Sequence, residues 1–397
     1  MLGGVAAGFL RRQTSKPFLV RVLFILHTPR LPNTSVYQEY ERRIAYLENA
    51  GHEAVVLTPQ DFPGIRRCHS RWLPLTYPFS VAWFLLRKGR GYDLVSFHSY
   101  AGWVVNLLRR RVPAYRHLKT VTSFQGLEPL YYEALKAETE KTGRHLTLRF
   151  RLIHGSLLPQ LMRLSCRRSD RVICLNQKEA SYLTENRWAD SSKIFILPHG
   201  ASSIFFICRE YREKARRLLF VGQWELRKGI RYLVETFCSL AYKDPELELW
   251  CVGTMRGPEQ VLEAFPEEVH GRIVVHPRVD QQELLTVYQQ ADLFLFPTLF
   301  EGRSTALLEA MAAALPIVTT PTGAAPDLLE QEVNALLVAE ADASALTAAV
   351  RRLIDDQPLR RRLGQQAQAD VREHREECAF KRITDFYLNL LQCPAAA

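Results

Sequence analysis

Apolar residues are gathered in short, evenly spaced runs. Residues 20–26, 53–57, 93–97, 119–123, 171–175 and 193–197 form a first series, and 218–222, 247–252, 272–276, 292–296, 316–319 and 335–338 a second. Each run is continuous and rich in Val, Ile, Leu and Phe, the pattern of strands covered on both faces. Helical periodicity fills most of the gaps, as in 35–50, 228–242, 281–290 and 305–314. Such alternation predicts an α/β protein built of parallel sheets flanked by helices.

Six strands followed by six more predict two doubly wound, Rossmann-like domains facing across a cleft. The reading divides the chain into a loose leader at 1–16, a first domain at 17–205, a second at 206–372, and a helix at 373–397 that closes the second domain or packs back on the first. Ligands of open parallel sheets sit past the carboxyl ends of the strands. The polar residues at those ends are His27, His98, Ser99, Gln125, Gly126, Asn176 and His199 in the first half. In the second half they are Gln223, Thr254, 297–301 and 320–323.

Composition narrows the function. Of 397 residues, 47% are hydrophobic and 24% charged, as in ordinary globular proteins. The net charge of +10 favours anionic partners, whether nucleic acid, acidic lipid or nucleotide diphosphate. Dispersed basic residues without a helix-turn-helix, zinc or stacking motif argue against nucleic acid. The eight cysteines include no C-x-x-C pair and read as buried thiols in a reducing cytosol. No apolar run approaches the ~18 residues of a spanning helix. The arginines of the first segment follow its apolar stretch, unlike a secretory signal, so a cytoplasmic location and an unglycosylated Asn33-Thr34-Ser35 are expected. The basic, apolar stretch 145–171 has two readings: peripheral contact at the inner face of a membrane, or a core helix with a basic edge, kinked at Pro159.

Candidate chemistry is concentrated in two places. In 292–323, a strand ends at Pro297, a loop carries Glu301 and Gly302, and a helix starts near Ser304, which with Thr305 is suited to cap it. The open amides of a helix start favour a phosphate or a sugar hydroxyl, and glycine permits close backbone approach. Glu309 lies two turns further on among Leu307, Leu308, Ala310 and Met311, where a carboxylate needs a partner. In 218–237, a strand ends at Gly222 and Lys228-Gly229 opens a helix, placing an ammonium group beside the cleft.

These two stretches resemble glycosyltransferase family 4, the retaining group with the GT-B fold. Glu301 and Glu309 match its E-x7-E motif within FEGRSTALLEAMAAALPIV, and VGQWELRKGI, ADLFLFP and GHEAVVL support the match. The resemblance implies transfer of a hexose-type sugar from a nucleotide-diphosphate sugar to an acceptor hydroxyl with retention, without metal or cofactor. It implies that Glu301 holds donor-sugar hydroxyls, that Gly302, Arg303, Ser304 and Thr305 hold the diphosphate side, and that Glu309 holds the ribose. Lys228 would neutralise the departing diphosphate, with Gly222, Gln223 and Arg227 beside it, and the acceptor would be a sugar, glycan or lipid-linked group.

Departures from the family pattern are specific. Gln223 stands where relatives usually carry an arginine, which Arg227 or Arg303 could replace; Arg303 itself occupies a position that is aromatic in many relatives. Gln125 stands where relatives often show a histidine. A glycine-rich first loop is absent, leaving Arg30 to meet an anionic acceptor and Ser35 to cap the first helix. His98 is a candidate catalytic or acceptor-side residue, or a structural histidine. Front-side displacement and a double displacement through a carboxylate both stay open, as do a nucleotide-sugar epimerase or hydrolase and a non-catalytic nucleotide-sugar-binding partner.

Overall fold

The computed structural model describes residues 19–30, 35–66, 72–197 and 200–392. The predicted leader, the Asn33 sequon, His199, Cys68 and Cys393 lie outside the described residues, as does the side chain of Ser35. The first sheet contains β1 (Arg21–Ile25), β2 (Glu53–Leu57), β3 (Leu94–His98), β4 (Lys119–Ser123), β5 (Arg171–Cys174) and β6 (Ile194–Ile196). The second contains β7 (Arg217–Val221), β8 (Glu248–Val252), β9 (Ile273–His276), β10 (Leu293–Phe296), β11 (Ile317–Thr319) and β12 (Leu336–Leu337). Every predicted strand appears, with each end at the predicted residue or one residue away from it.

Strand order is β2-β1-β3-β4-β5-β6 in one sheet and β12-β11-β10-β7-β8-β9 in the other, and all pairings are parallel. In each sheet the winding reverses once, between β1 and β3 and between β7 and β10. The crossover helices on either side of such a reversal lie on opposite faces, which opens a crevice at the strands' carboxyl ends. Successive residues of a strand serve opposite cores. Leu218 and Phe220 of β7 join Leu293 and Leu295 of β10 on one face, while Leu219, Phe294 and Phe296 serve the other. Likewise Val22 and Phe24 point to one core and Leu23 and Ile25 to the opposite one. Each such side chain, withdrawn from water, contributes roughly 2 kcal/mol. The crevices therefore have rigid floors.

The helix Glu376–Gln392 lies against the first domain, not the second. Phe380, Ile383, Tyr387 and Leu390 pack with Tyr37, Tyr40 and Leu47 of the helix Ser35–Asn49. Ala201 fastens this crossing: its N–H donates to the carbonyl of His374 at 2.8 Å, and its carbonyl accepts from the N–H of Glu376 at 3.0 Å. The stretch 145–171 is helical from Leu148 to Arg167, with a wider π turn at Ile153–Leu157. Pro159 cannot donate to the carbonyl of Gly155, and the turn widens there. Leu158, Leu161, Met162 and Cys166 belong to the core, whereas Leu148 and Leu152 are exposed.

Not all thiols are buried. Cys166, Cys174 and Cys251 are, but Cys208 and Cys378 are exposed. Cys208 lies in the irregular segment that joins the two sheets, and Cys378 occupies an outward position near the start of the final helix.

Candidate active site

The second sheet brings two loops together at its reversal point. After β7, Gly222 lies alongside the stem of Lys228, which sits in a short turn, Leu226–Lys228, and not in the helix predicted to contain it. The helix begins only at Ile230, because Gly229 takes φ of +68° and brings its backbone against the carbonyl of Pro297. A β-carbon there would lie 1.8 Å from that oxygen. Glycine is needed on both counts.

After β10, the loop delivers Glu301 to Lys228. The two side chains form a buried ion pair, with the ammonium 4.7 Å above the ring of Phe296. The Nη1 of Arg227 stands 3.6 Å from the same carboxylate oxygen. Loss of water lowers the Lys228 pKa, and the attraction of Glu301 offsets this only in part. A cation held this way is poorly hydrated and available to an incoming anion. Beside it Ser304 stands at the N-cap of the helix Thr305–Ala312, but its buried Oγ makes no hydrogen bond. The expected side-chain cap is not formed, so the helix start keeps unmet donors. The side chain of Gln223 makes no hydrogen bond among the described residues.

Glu309 lies further along that helix, and no hydrogen bond or ion pair joins it to Lys228 or Glu301. Its Oε2 is 3.0 Å from the hydroxyl of Tyr288. Burial pushes its pKa up to about 7, against the smaller pull of Tyr288 and Arg42. The carboxyl therefore has one protein partner and room for more donors.

Gly302 closes the cleft. Its α-carbon faces the first domain so tightly that a β-carbon would lie 2.8 Å from the carbonyl of Gln125. Its own carbonyl accepts from Asn176 Nδ2 at 3.2 Å. Gln177 N donates to Asp327 at 2.8 Å across the same seam. Arg303 also reaches across: its Nη1 is 2.6 Å from Glu39 Oε1, while Glu39 pairs with Arg43 and accepts from Gln125 Nε2 at 3.3 Å. Burial raises the Glu39 pKa and the two guanidiniums outweigh it, leaving the carboxyl at about 2.

The first sheet's reversal point carries His27, just past β1, and His98, at the end of β3. Their rings stack 4.5 Å apart, and His27 Nδ1 and both His98 nitrogens are buried without partners. Burial lowers both pKa values, that of His27 to about 4, so both rings are neutral near pH 7. Arg30 turns away, with its guanidinium 3.3 Å from Asp61 and its backbone N–H on Gln60.

The chain matches two family descriptions: "Glycosyltransferase Family 4" over residues 41–202 and "Glycosyl transferases group 1" over 215–356. It belongs to glycosyltransferase family 4. Among curated relatives, this family 4 chain is 29% identical over 197 residues to the MMP alpha-(1->4)-mannosyltransferase of Mycolicibacterium hassiacum, covering 49% of this chain and 47% of that protein. It is 25% identical over 331 residues to the D-inositol 3-phosphate glycosyltransferase of Corynebacterium efficiens, covering 77% and 73%. The chain thus spans about half the length of the first of these relatives. The sucrose-phosphate synthase of Thermosynechococcus elongatus superposes with a TM-score of 0.73 at 19% identity, over 94% of this chain and 99% of that one. Anabaena HepE, solved in complex with UDP, superposes with a TM-score of 0.65 at 15% identity, over 93% and 100%. Both structures share the GT-B architecture.

Four contributors to the glycosyltransferase cleft escape the motif: Glu39, Arg43, Tyr288 and His27's contact with His98. For Arg43 a signal exists, since it shares a helix face with Tyr40 and Leu47, where a solvated arginine is out of place.

Proposed function

We propose that this protein transfers a hexose-type sugar from a nucleotide-diphosphate sugar to an acceptor hydroxyl with retention of configuration. The observation that carries the reading is the buried Lys228–Glu301 pair at the β7/β10 reversal, beside a helix start with unmet donors. Neutralising a leaving group is where such chemistry gains most. On donor arrival, the ammonium of Lys228 turns from Glu301 to the diphosphate, Arg227 leaves its 2.8 Å pair with Glu225 to join it, and the freed Glu301 carboxylate accepts hydrogen bonds from sugar hydroxyls. Arg227 thereby supplies the charge that Gln223 lacks. Arg303, engaged with Glu39, instead holds the second domain to the first. Glu309, with its spare acceptor capacity, takes the ribose hydroxyls.

The bond from the anomeric carbon to the diphosphate oxygen breaks as the acceptor oxygen approaches from the same face. The departing phosphate oxygen takes the acceptor's proton. His98 and His27, neutral and unpartnered, supply hydrogen bonds to the acceptor in this scheme. The two side-chain cations and the helix amides do the work that a divalent ion performs elsewhere.

Incubation with UDP-, GDP-, ADP- and dTDP-sugars, with and without an acceptor-containing cell extract, tests the proposal. A glycosylated product that needs both donor and extract supports it. Donor consumed without extract makes the protein a hydrolase or epimerase, and binding without turnover makes it a non-catalytic partner.

A further inference from the structure

The helix Leu73–Lys88 covers the first sheet between β2 and β3, and only one of its faces enters the core. Tyr77, Val81, Ala82 and Leu85 are buried against Leu23, Ile25, Val95 and Phe97. The opposite face carries Leu75, Phe79, Trp83 and Leu86, which remain 36%, 56%, 56% and 44% exposed. Their spacing of four, four and three residues makes one continuous stripe along the helix. An unbroken apolar stripe in water marks a surface with a partner.

Charge identifies that partner. Residues 72–119 contain eight Lys or Arg and a single acid, Asp93, so this segment holds +7 of the chain's +10. Asp93 is itself engaged by the backbone N–H of Arg21 at 2.8 Å. Arg87, Lys88 and Arg90 cluster at the helix's last turn, and Arg110, Arg111 and Arg116 follow the neighbouring helix Trp103–Leu108; all six are exposed. The guanidinium of Arg87 lies 4.3 Å over the ring of Trp83, joining the basic edge to the apolar stripe. Aromatic and aliphatic side chains beside a basic rim are complementary to the acyl boundary and phosphate headgroups of an anionic bilayer.

We propose that this face, centred on helix Leu73–Lys88, docks on the surface of an anionic membrane. This relocates the contact from residues 145–171, whose second half is core, and it does not depend on the transfer reaction. Because the helix runs antiparallel to the strands, its first turn lies near the cleft and its basic end at the far edge. A docked molecule therefore holds its cleft mouth beside the bilayer. No helix among the described residues is long and apolar enough to cross a membrane. The contact proposed is peripheral.

Co-sedimentation of the full chain with phosphatidylcholine vesicles, and with equimolar phosphatidylcholine and phosphatidylglycerol, tests the proposal. Wild-type protein should pellet with the anionic vesicles and stay largely in solution with the neutral ones. Replacing Phe79 and Trp83 by Ser should lower partition by roughly tenfold or more. Arg110→Gln with Arg111→Gln should lower it about fivefold per residue, and added salt should act in the same direction. These side chains are exposed, so circular dichroism should be unchanged in both variants. Equal recovery on the two vesicle types, no recovery on either, or variants that bind like wild type would overturn it. So would a dimer in light scattering that the Phe79 and Trp83 changes dissolve, because a second copy would then be the occupant.

Discussion

Glu309 offers a test with a defined sign. Its carboxyl rises from 4.5 to about 7, chiefly through burial, so between those values the folded protein holds a proton that the unfolded chain has released. Stability from this group is complete below pH 4.5 and declines as pH rises through 7. A displacement of that size corresponds to about 3 kcal/mol. Glu309→Gln keeps the shape and a hydrogen-bonding group for Tyr288 but cannot ionise. Near pH 5 wild type and variant should melt together. At about pH 8 the variant should be the more stable by up to about 3 kcal/mol, a Tm difference of roughly 6–12 °C for a domain of this size. Differential scanning calorimetry at both pH values reads this directly, and subtracting the variant removes the contribution of Glu179, another buried carboxyl raised to about 7. The same Tm difference at both pH values would refute the raised carboxyl pKa of Glu309 in the folded protein. Nucleotide affinity supplies the functional half: donors from a ribose favour the carboxylate, so wild-type binding should strengthen from about pH 6 to 8, whereas the variant's should be weak and flat.

Other substitutions separate fold from site. Gly229→Ala would set a β-carbon 1.8 Å from the Pro297 carbonyl at φ of +68°, and should cost roughly 2–4 kcal/mol in urea unfolding. Gly302→Ala places its new methyl against the Gln125 backbone and should widen the cleft; small-angle scattering should report a larger radius of gyration, with the Tm little changed. Arg303→Ala removes the cross-domain partner of Glu39 but leaves Arg43 and Gln125 on that carboxylate, so the chain should stay folded while donor turnover falls. Equal donor affinity in wild type and this variant would place Arg303 at the interface and not on the diphosphate.

The fold was legible because both sheets are parallel and doubly covered, so strands such as the LFLF of β10 read as unbroken apolar runs. The loops of the site were legible from Lys228, Glu301 and Gly302, whose residue types suit phosphate and sugar. Partner choice was not. Nothing local tells whether Arg303 turns to a ligand or crosses to Glu39, since that contact depends on how two domains meet. Tyr288 is hidden for a related reason: it belongs to the helix Gln281–Gln290, before β10, and meets Glu309 only through packing. The start of the helix after Lys228 was placed two residues early because a left-handed glycine can either precede or interrupt a helix. The exposed stripe of helix Leu73–Lys88 is hidden for the same reason as Tyr288: the helix is apolar on two faces, and only packing against the sheet decides that Tyr77, Val81 and Leu85 enter the core while Leu75, Phe79, Trp83 and Leu86 stay outside.

The central claim is that Lys228, Glu301 and Glu309 bind a nucleotide-diphosphate sugar. Isothermal titration with the nucleotide sugar that stabilises the protein most in a thermal-shift panel examines it most directly. Wild type should bind, Lys228→Ala should lose affinity by roughly a hundredfold through the lost charge on the diphosphate, and Glu309→Ala should also lose affinity while both variants still unfold cooperatively above the titration temperature. Unchanged affinity in the two variants would contradict the account.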